Sequence, residues 1–194
     1  MTLPPELQPN ALLSAYASGI FPMADEDGII RWYAPPSRAI IELEGLIVSR
    51  SLRVAVRRGD FTVTCNRAFG EVMRACADRE DGTWISAEII AAYTLLHRHG
   101  FAHSVEAWKN DELAGGLYGV SLGGAFFGES MFHRDTDASK VALVHLVRRM
   151  RERGFVLLDV QFMTDHLQRL GATEITRAEY EVRLQDAIVL PCKF

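Results

Sequence analysis

Residues 102–132 constrain this chain more than any other stretch. Runs 102–108, 112–120 and 125–132 each have strand composition, and the last two meet at the turn Ser121-Leu122-Gly123-Gly124. Strands joined by links this short pair antiparallel, so the segment reads as a meander with a Gly-rich hairpin. It also carries glycines at 115, 116, 119, 123, 124 and 128. Glycine inside a strand costs stability, and this density points to a ligand or another backbone approaching closely.

The flanks fix the fold class. After the meander, Asp137 is placed to cap a helix running to Arg153 and stopped by Gly154. Residues 155–162 then form a largely apolar, buried strand, and Asp165 is placed to cap a short helix ending at Gly171. Before the meander, residues 9–19 read as a helix capped by Asn10, and residues 20–38, dense in Pro, Gly and aromatics, as ordered loop. A strand over 39–43, helices over 51–58, 66–78 and 86–99, and a strand over 61–65 complete the pattern. Runs of strands and helices in this order make an α+β fold with a mixed sheet flanked by helices. The expected organisation is a short helix and aromatic, Pro-rich loop over residues 1–38, followed by one domain over 39–194.

Composition narrows the class of function. A chain of 194 residues, 48% hydrophobic and 24% charged, suits a single globular domain. Cys65, Cys76 and Cys192 are odd in number and form no CxxC pair, which reads as reduced thiols. No stretch approaches the roughly 20 apolar residues of a membrane span, and no leader pattern is seen, so a soluble, cytoplasmic protein is expected. The net charge of −4 means that a nucleic-acid partner would have to be gripped on a local patch.

Several constellations bear on chemistry. Asp159 and Gln161 alternate with Val160 inside the apolar strand, which places both on one face. A carboxylate there is expensive unless paired, and the amide beside it can donate to it while still accepting through its oxygen. Gly128-Glu129-Ser130-Met131-Phe132 ends the last meander strand, where Glu129 is either solvated or functional. Trp84, in Gly82-Thr83-Trp84-Ile85, stands at a loop-to-helix junction, as core or as a platform for a base. His97, His99 and His103 invite a zinc reading, but they straddle a helix end and a strand start, so no metal and no cofactor is expected. A Ser130, His103, Asp159 triad lacks the G-x-S-x-G elbow. Two basic runs, Arg50, Arg53, Arg57 and Arg58, and then Arg148, Arg149, Arg151 and Arg153, are either solvated helix faces or a seat for phosphates.

With those residues in view, the chain resembles the leucyl/phenylalanyl-tRNA–protein transferase family. The resemblance runs from about Leu12 to Tyr180. It rests on Tyr16-Ala17-Ser18-Gly19-Ile20-Phe21-Pro22, Trp32-Tyr33-Ala34-Pro35-Pro36-Ser37-Arg38, Gly82-Thr83-Trp84-Ile85 and Ala102-His103-Ser104-Val105-Glu106-Ala107-Trp108. Further elements are Gly115-Gly116-Leu117-Tyr118-Gly119-Val120, Gly128-Glu129-Ser130-Met131-Phe132, Ala138-Ser139-Lys140 and Leu158-Asp159-Val160-Gln161. The resemblance implies an acyltransferase fold like that of the GCN5-related N-acetyltransferases, with a shortened N-terminal segment. It implies transfer of Leu or Phe, with Met as a third donor, from aminoacyl-tRNA to proteins beginning with Arg or Lys, marking them for N-degron degradation. It places Trp84 on the terminal adenosine of the tRNA. Leu117, Phe126, Leu143, Leu146 and Leu158 fall at the pocket for the transferred side chain, with Tyr93 at another site-lining position. Glu129, Asp159 and Gln161 fall at the polar catalytic positions. Met23 stands where many relatives have Trp, which leaves donor preference open.

Chemistry agrees with that assignment. An aminoacyl ester is already activated, so acyl transfer needs an amine held about 3–3.5 Å from the carbonyl and a proton acceptor. The expected arrangement has Asp159 polarising the Gln161 amide, whose oxygen accepts from the amine, with Glu129 holding the cationic N-terminus. Asp159→Ala is then expected to cut turnover with folding intact. The helix with Arg50, Arg53, Arg57 and Arg58 is the expected tRNA seat. Two alternatives are an acyl-CoA-dependent N-acyltransferase of the same fold and a non-catalytic RNA- or degron-binding module. The first calls for a glycine-rich pyrophosphate loop, and Arg134-Asp135-Thr136-Asp137-Ala138-Ser139 has two acids and no glycine. The second has no use for a buried acid–amide pair.

Overall fold

A computed structural model describes residues 3–25, 27–79 and 82–194. The predicted meander is present to within two residues at each end: β5 (Ala102–Lys109), β6 (Glu112–Leu122) and β7 (Ala125–His133). They belong to a seven-stranded sheet with β3 (Ser37–Ile41), β4 (Thr62–Cys65), β8 (Leu157–Gln161) and β9 (Ala172–Thr176), in the order β4-β5-β6-β7-β8-β3-β9. Every neighbouring pair is antiparallel except β7–β8, which is parallel. This is the expected α+β fold with a mixed sheet.

Alternation along the strands separates two cores. Ile40, Tyr118, Val120, Phe127 and Leu157 face one layer, with α1 (Pro9–Ala17), α3 (Phe69–Ala77), α4 (Ala87–Arg98) and α7 (Arg177–Ile188) against it. Their immediate neighbours Ile41, Leu117, Phe126 and Leu158 face the other layer, where α5 (Ala138–Glu152) covers them. Because the side-chain period in a strand is two, both faces must be apolar for a sheet covered on both sides. α2 (Arg50–Arg58) packs on α5 at the edge of that second layer.

Several expectations are corrected. Residues 20–38 are not all loop: β1 (Phe21–Ala24) and β2 (Ile30–Tyr33) form an antiparallel hairpin outside the main sheet, where a proline such as Pro22 sacrifices no central ladder bond. Asn10 is inside α1, which opens on Pro9 with Gln8 in the cap position. Asp137 occupies the cap position of α5 with φ +69, but its carboxylate takes Lys140 and makes no capping bond. The short helix α6 (Asp165–Arg169) is capped one residue earlier, by Thr164, which accepts from the Leu167 amide at 3.2 Å. β9 and α7 lie in a stretch where the sequence reading assigned no element.

All three cysteines are free. Among the described residues no helix is long and apolar enough to cross a membrane.

Candidate active site

Two irregularities at one level of the sheet open its interior. In β7 the register to β6 shifts: Gly119 pairs with Gly128 but Tyr118 pairs with Ser130. Glu129 is therefore the extra residue of a β-bulge, unpaired and free to be re-aimed. Gly119 is required opposite it, because a Cβ there would lie 2.2 Å from the Phe127 carbonyl oxygen and 2.5 Å from the Phe126 ring. In β8 the pairing with β7 ends at Phe127–Asp159, and Gln161 adopts φ +66, with the Phe162 amide donating back to the Val160 carbonyl at 2.9 Å. That is a γ-turn of the rare, strained kind, at a residue with a Cβ. The parallel strands part beyond this point, and a cavity of about 620 Å³ fills the gap.

Glu129 is 8% exposed, lies on the cavity wall, and is held by donors on three elements. The Tyr16 hydroxyl donates to Oε1 at 2.7 Å, the Gln161 Nε2 to the same oxygen at 3.1 Å, and the Tyr93 hydroxyl to Oε2 at 3.5 Å. The two tyrosine hydroxyls also bond to one another, so the single Tyr93 proton is shared between Tyr16 and Glu129. Burial pushes both tyrosines well above their ordinary pKa, so each stays a neutral donor. For Glu129, burial raises the pKa to about 7, against the bonds from Tyr16 and Gln161 that favour the carboxylate. A carboxyl poised there gains and loses its proton near neutral pH. Glu106 shows that burial alone does not make a site. It is more enclosed still, but it takes bonds from Thr64, Ser104 and the Ala68 amide before α3, and does not line this cavity.

Asp159 corrects the expected arrangement. Its carboxylate does not bond the Gln161 side-chain amide, which goes to Glu129, and does not line the cavity. Arg38 takes both of its oxygens, Nε at 2.9 Å from Oδ1 and Nη2 at 2.7 Å from Oδ2. The Tyr180 hydroxyl donates to Oδ2 at 2.7 Å, and the Gln161 backbone N–H to Oδ1 at 2.8 Å. Arg38 and Asp159 are 2% and 0% exposed, with the guanidinium between the Phe21 and Tyr180 rings, 4.6 Å from each, and bonded to the Gly19 carbonyl. The buried ion pair thus ties the N-terminal segment, β3, β8 and α7 together. It also holds the backbone bond that keeps Gln161 kinked toward Glu129. Arg38, Tyr16 and Tyr180 were not assigned a site role from sequence. Arg38 and Tyr16 stand in the motifs quoted above, but their partners are 121 and 113 residues away, beyond any local pattern.

The remaining candidates divide by position. Met23, Trp84, Leu117, Leu143, Leu146 and Leu158 line the cavity, giving it an aliphatic wall. Phe126 does not: it is fully buried in the layer behind them, against Phe155 and Phe194 in one apolar cluster. Tyr93 is likewise behind Glu129 and not on the wall. Arg79, Met131, His133 and His166 are wall residues that sequence reading left out. A larger depression of about 1040 Å³ adjoins on the far side of Trp84, but its charged groups are spent on each other, with Arg31 pairing both Asp25 and Asp27.

The histidine run does not converge. His97 bonds the Ala102 carbonyl and stacks on Phe69, His103 bonds Gly100 and Asn66, and His99 is exposed. Arg50, Arg53, Arg57 and Arg58 are all exposed on α2, and among the described residues none pairs with a carboxylate. In the other basic run Arg148 and Arg151 are bound to Glu152 and Glu44.

A family profile described as leucyl/phenylalanyl-tRNA protein transferase matches residues 40–185, and the profile of that family's N-terminal domain matches residues 5–36. A protein of that name from Salinibacter ruber is 54% identical over 187 residues, spanning 96% of this chain and 82% of its own. One from Gloeobacter violaceus is 54% identical over 189 residues, 97% of each chain. Among solved structures, FemX superposes with a TM-score of 0.56 at 12% identity, over 86% of this chain and 66% of its own, a likeness of fold.

Proposed function

The chain belongs to the leucyl/phenylalanyl-tRNA–protein transferase family, and from that membership we propose that it moves leucine or phenylalanine, with methionine as a third donor, from aminoacyl-tRNA to the α-amine of proteins beginning with Arg or Lys. Such a product is an N-degron, and the protein works in the cytoplasm, where charged tRNA is found. The observation that carries the chemistry is Glu129: a buried carboxyl with a pKa near 7 on the wall of an aliphatic cavity.

An acceptor N-terminus arrives as an ammonium with a pKa of about 7.7–8.0. A carboxylate whose own pKa is close to that value takes one proton with little free-energy change, the condition for efficient general-base catalysis. The neutral amine then attacks the ester carbonyl. As the ester C–O bond breaks, the second proton leaves nitrogen and ends on the ribose oxygen of the departing tRNA. Gln161, which donates to Glu129 through Nε2, keeps its carbonyl oxygen to accept from the amine and align its lone pair. Asp159 and Arg38 act as positioning residues, through the Gln161 backbone. Leu117, Leu143, Leu146 and Leu158 take the transferred side chain, with Phe126 as backing. Such a wall separates side chains by only about 1–3 kcal/mol per methylene, consistent with accepting more than one donor. Trp84 stacks on the terminal adenine. The division at residues 1–38 and 39–194 belongs to the same reading, with Met23 and Tyr16 of the first segment completing the site of the second.

The test is transfer of radiolabelled leucine from leucyl-tRNA to a peptide with N-terminal Arg, without added metal or nucleotide. Label in the Arg peptide and little in an Ala-first control is expected. Acylation from acetyl-CoA alone, or binding of both partners without turnover, contradicts the proposal. For the tRNA seat, exposure and the absence of partner carboxylates among the described residues favour α2. Arg53→Glu with Arg57→Glu is expected to weaken tRNA binding and to lower the log–log salt slope by roughly one per lost phosphate contact. Unchanged binding in a filter assay removes α2 from the interface.

A further inference from the structure

We infer that Arg79 forms a phosphate subsite at the cavity mouth, where it takes the phosphodiester on the 5′ side of the donor's terminal nucleoside while Trp84 holds the base; this rests on the aminoacyl-tRNA reading above. Arg79 leaves the C-terminal end of α3 and reaches across to β7. Its Nε donates to the Cys76 carbonyl at 3.1 Å and its Nη2 to the Ser130 hydroxyl at 2.9 Å. Two anchors on different elements fix the plane of an exposed side chain, which ordinarily samples many rotamers. A guanidinium has five N–H donors, and these bonds occupy two, so a fork remains for a ligand. Phosphate oxygens are the partners that fork geometry suits best.

Charge on the wall points the same way. The chain carries 25 acidic and 21 basic residues. Among the described residues, however, the cavity is lined by Arg79, His133 and His166 against one carboxylate, Glu129, which is buried. A cavity that is apolar within and carries the permanent charge of Arg79 at its mouth fits an acyl group delivered on a polyanion. Arg79 and Trp84 share that wall and are five residues apart in sequence, so the cavity presents a cation and a flat ring together, as a nucleotide's phosphate and base require. The subsite registers the last nucleotide, so the ester linkage is set beside Glu129.

The experiment compares two small donors, 3′-O-leucyl-adenosine and 3′-O-leucyl-adenosine 5′-phosphate, with an Arg-first peptide as acceptor. For the wild-type protein the 5′-phosphate is expected to lower KM about tenfold or more, the scale of one charge-assisted hydrogen bond, with kcat little changed. In Arg79→Ala the ratio of the two KM values is expected to fall to near one, and Arg79→Lys is expected to keep part of it. A purely structural role for the Cys76 and Ser130 bonds would raise both KM values and leave the ratio intact, which overturns the proposal. So does a wild-type ratio near one. Absence of leucine transfer from leucyl-tRNA itself by the wild type is a different result and sinks the functional reading instead.

Discussion

Glu129→Gln is expected to slow transfer by about 100-fold or more while making the protein more stable at pH 8. The first effect is the loss of the proton acceptor, worth roughly 10²–10⁴ in rate. The second follows from linkage. The carboxyl has an ordinary pKa of 4.5 and a folded pKa of about 7. Below 4.5 it is protonated in both states and costs nothing. As pH rises from 4.5 to 7, the unfolded chain ionises and the folded one resists, so stability is lost. Above 7 the full cost stands, about 3 kcal/mol. The amide never pays it. Variant and wild type should therefore melt together near pH 4.5 and diverge by several degrees between there and pH 7, the variant higher, less what the amide loses in hydrogen-bond strength. Thermal melts across that range, beside single-turnover rates, check both parts. A variant that is slow but no more stable at pH 8 would mean that Glu129 carries no stored cost.

Asp159→Ala is expected to destabilise the fold by about 3–5 kcal/mol, the usual cost of stranding one member of a buried ion pair. It leaves the Arg38 charge, the Tyr180 hydroxyl and the Gln161 N–H without the acceptor they share. Replacing both charges, as Arg38→Met with Asp159→Leu, should recover much of that stability, because matched apolar groups often substitute for such a pair at little cost. Activity should not recover. Gln161 would still lack the backbone bond that holds its φ of +66, a conformation that costs about 1–3 kcal/mol to maintain. The informative readout is kcat falling with KM for donor nearly constant in a folded double variant. Full activity in that variant would reduce the ion pair to packing alone. The geometry around Arg38 thus leads to a different expectation for Asp159→Ala from the intact fold expected from sequence.

What the sequence disclosed depends on how far apart the interacting residues lie. The meander at 102–132 and the strand before Gln161 are visible because strand periodicity and turn glycines are local. Glu129, Asp159 and Gln161 could be singled out, from burial pattern and from motif. Their wiring could not. Asp159 and Gln161 do share a buried strand, and from that it is natural to join their side chains. Arg38, 121 residues away, claims the carboxylate first and leaves only the Gln161 backbone to it. The bulge at Glu129 is invisible for another reason. One extra residue in a strand changes no composition, and only its register against β6 reveals it. In residues 20–38, proline density argues for loop, yet a two-stranded hairpin apart from the main sheet tolerates it. Phe126 and Tyr93 carry the right chemistry for a pocket wall, but each sits one layer too deep.

The central claim is that a buried carboxyl, held near neutrality by its surroundings, takes the proton from the incoming amine. The pH dependence of single-turnover leucine transfer, with donor and acceptor saturating, tests it most directly. In the wild-type protein the rate should fall on the acid side with a midpoint near 7, and in Glu129→Gln the small residual rate should lose that limb and follow instead the acceptor amine's own ionisation, at about 7.7–8.0. An acid limb of the same midpoint in both proteins would contradict the claim and place the essential titration on another group.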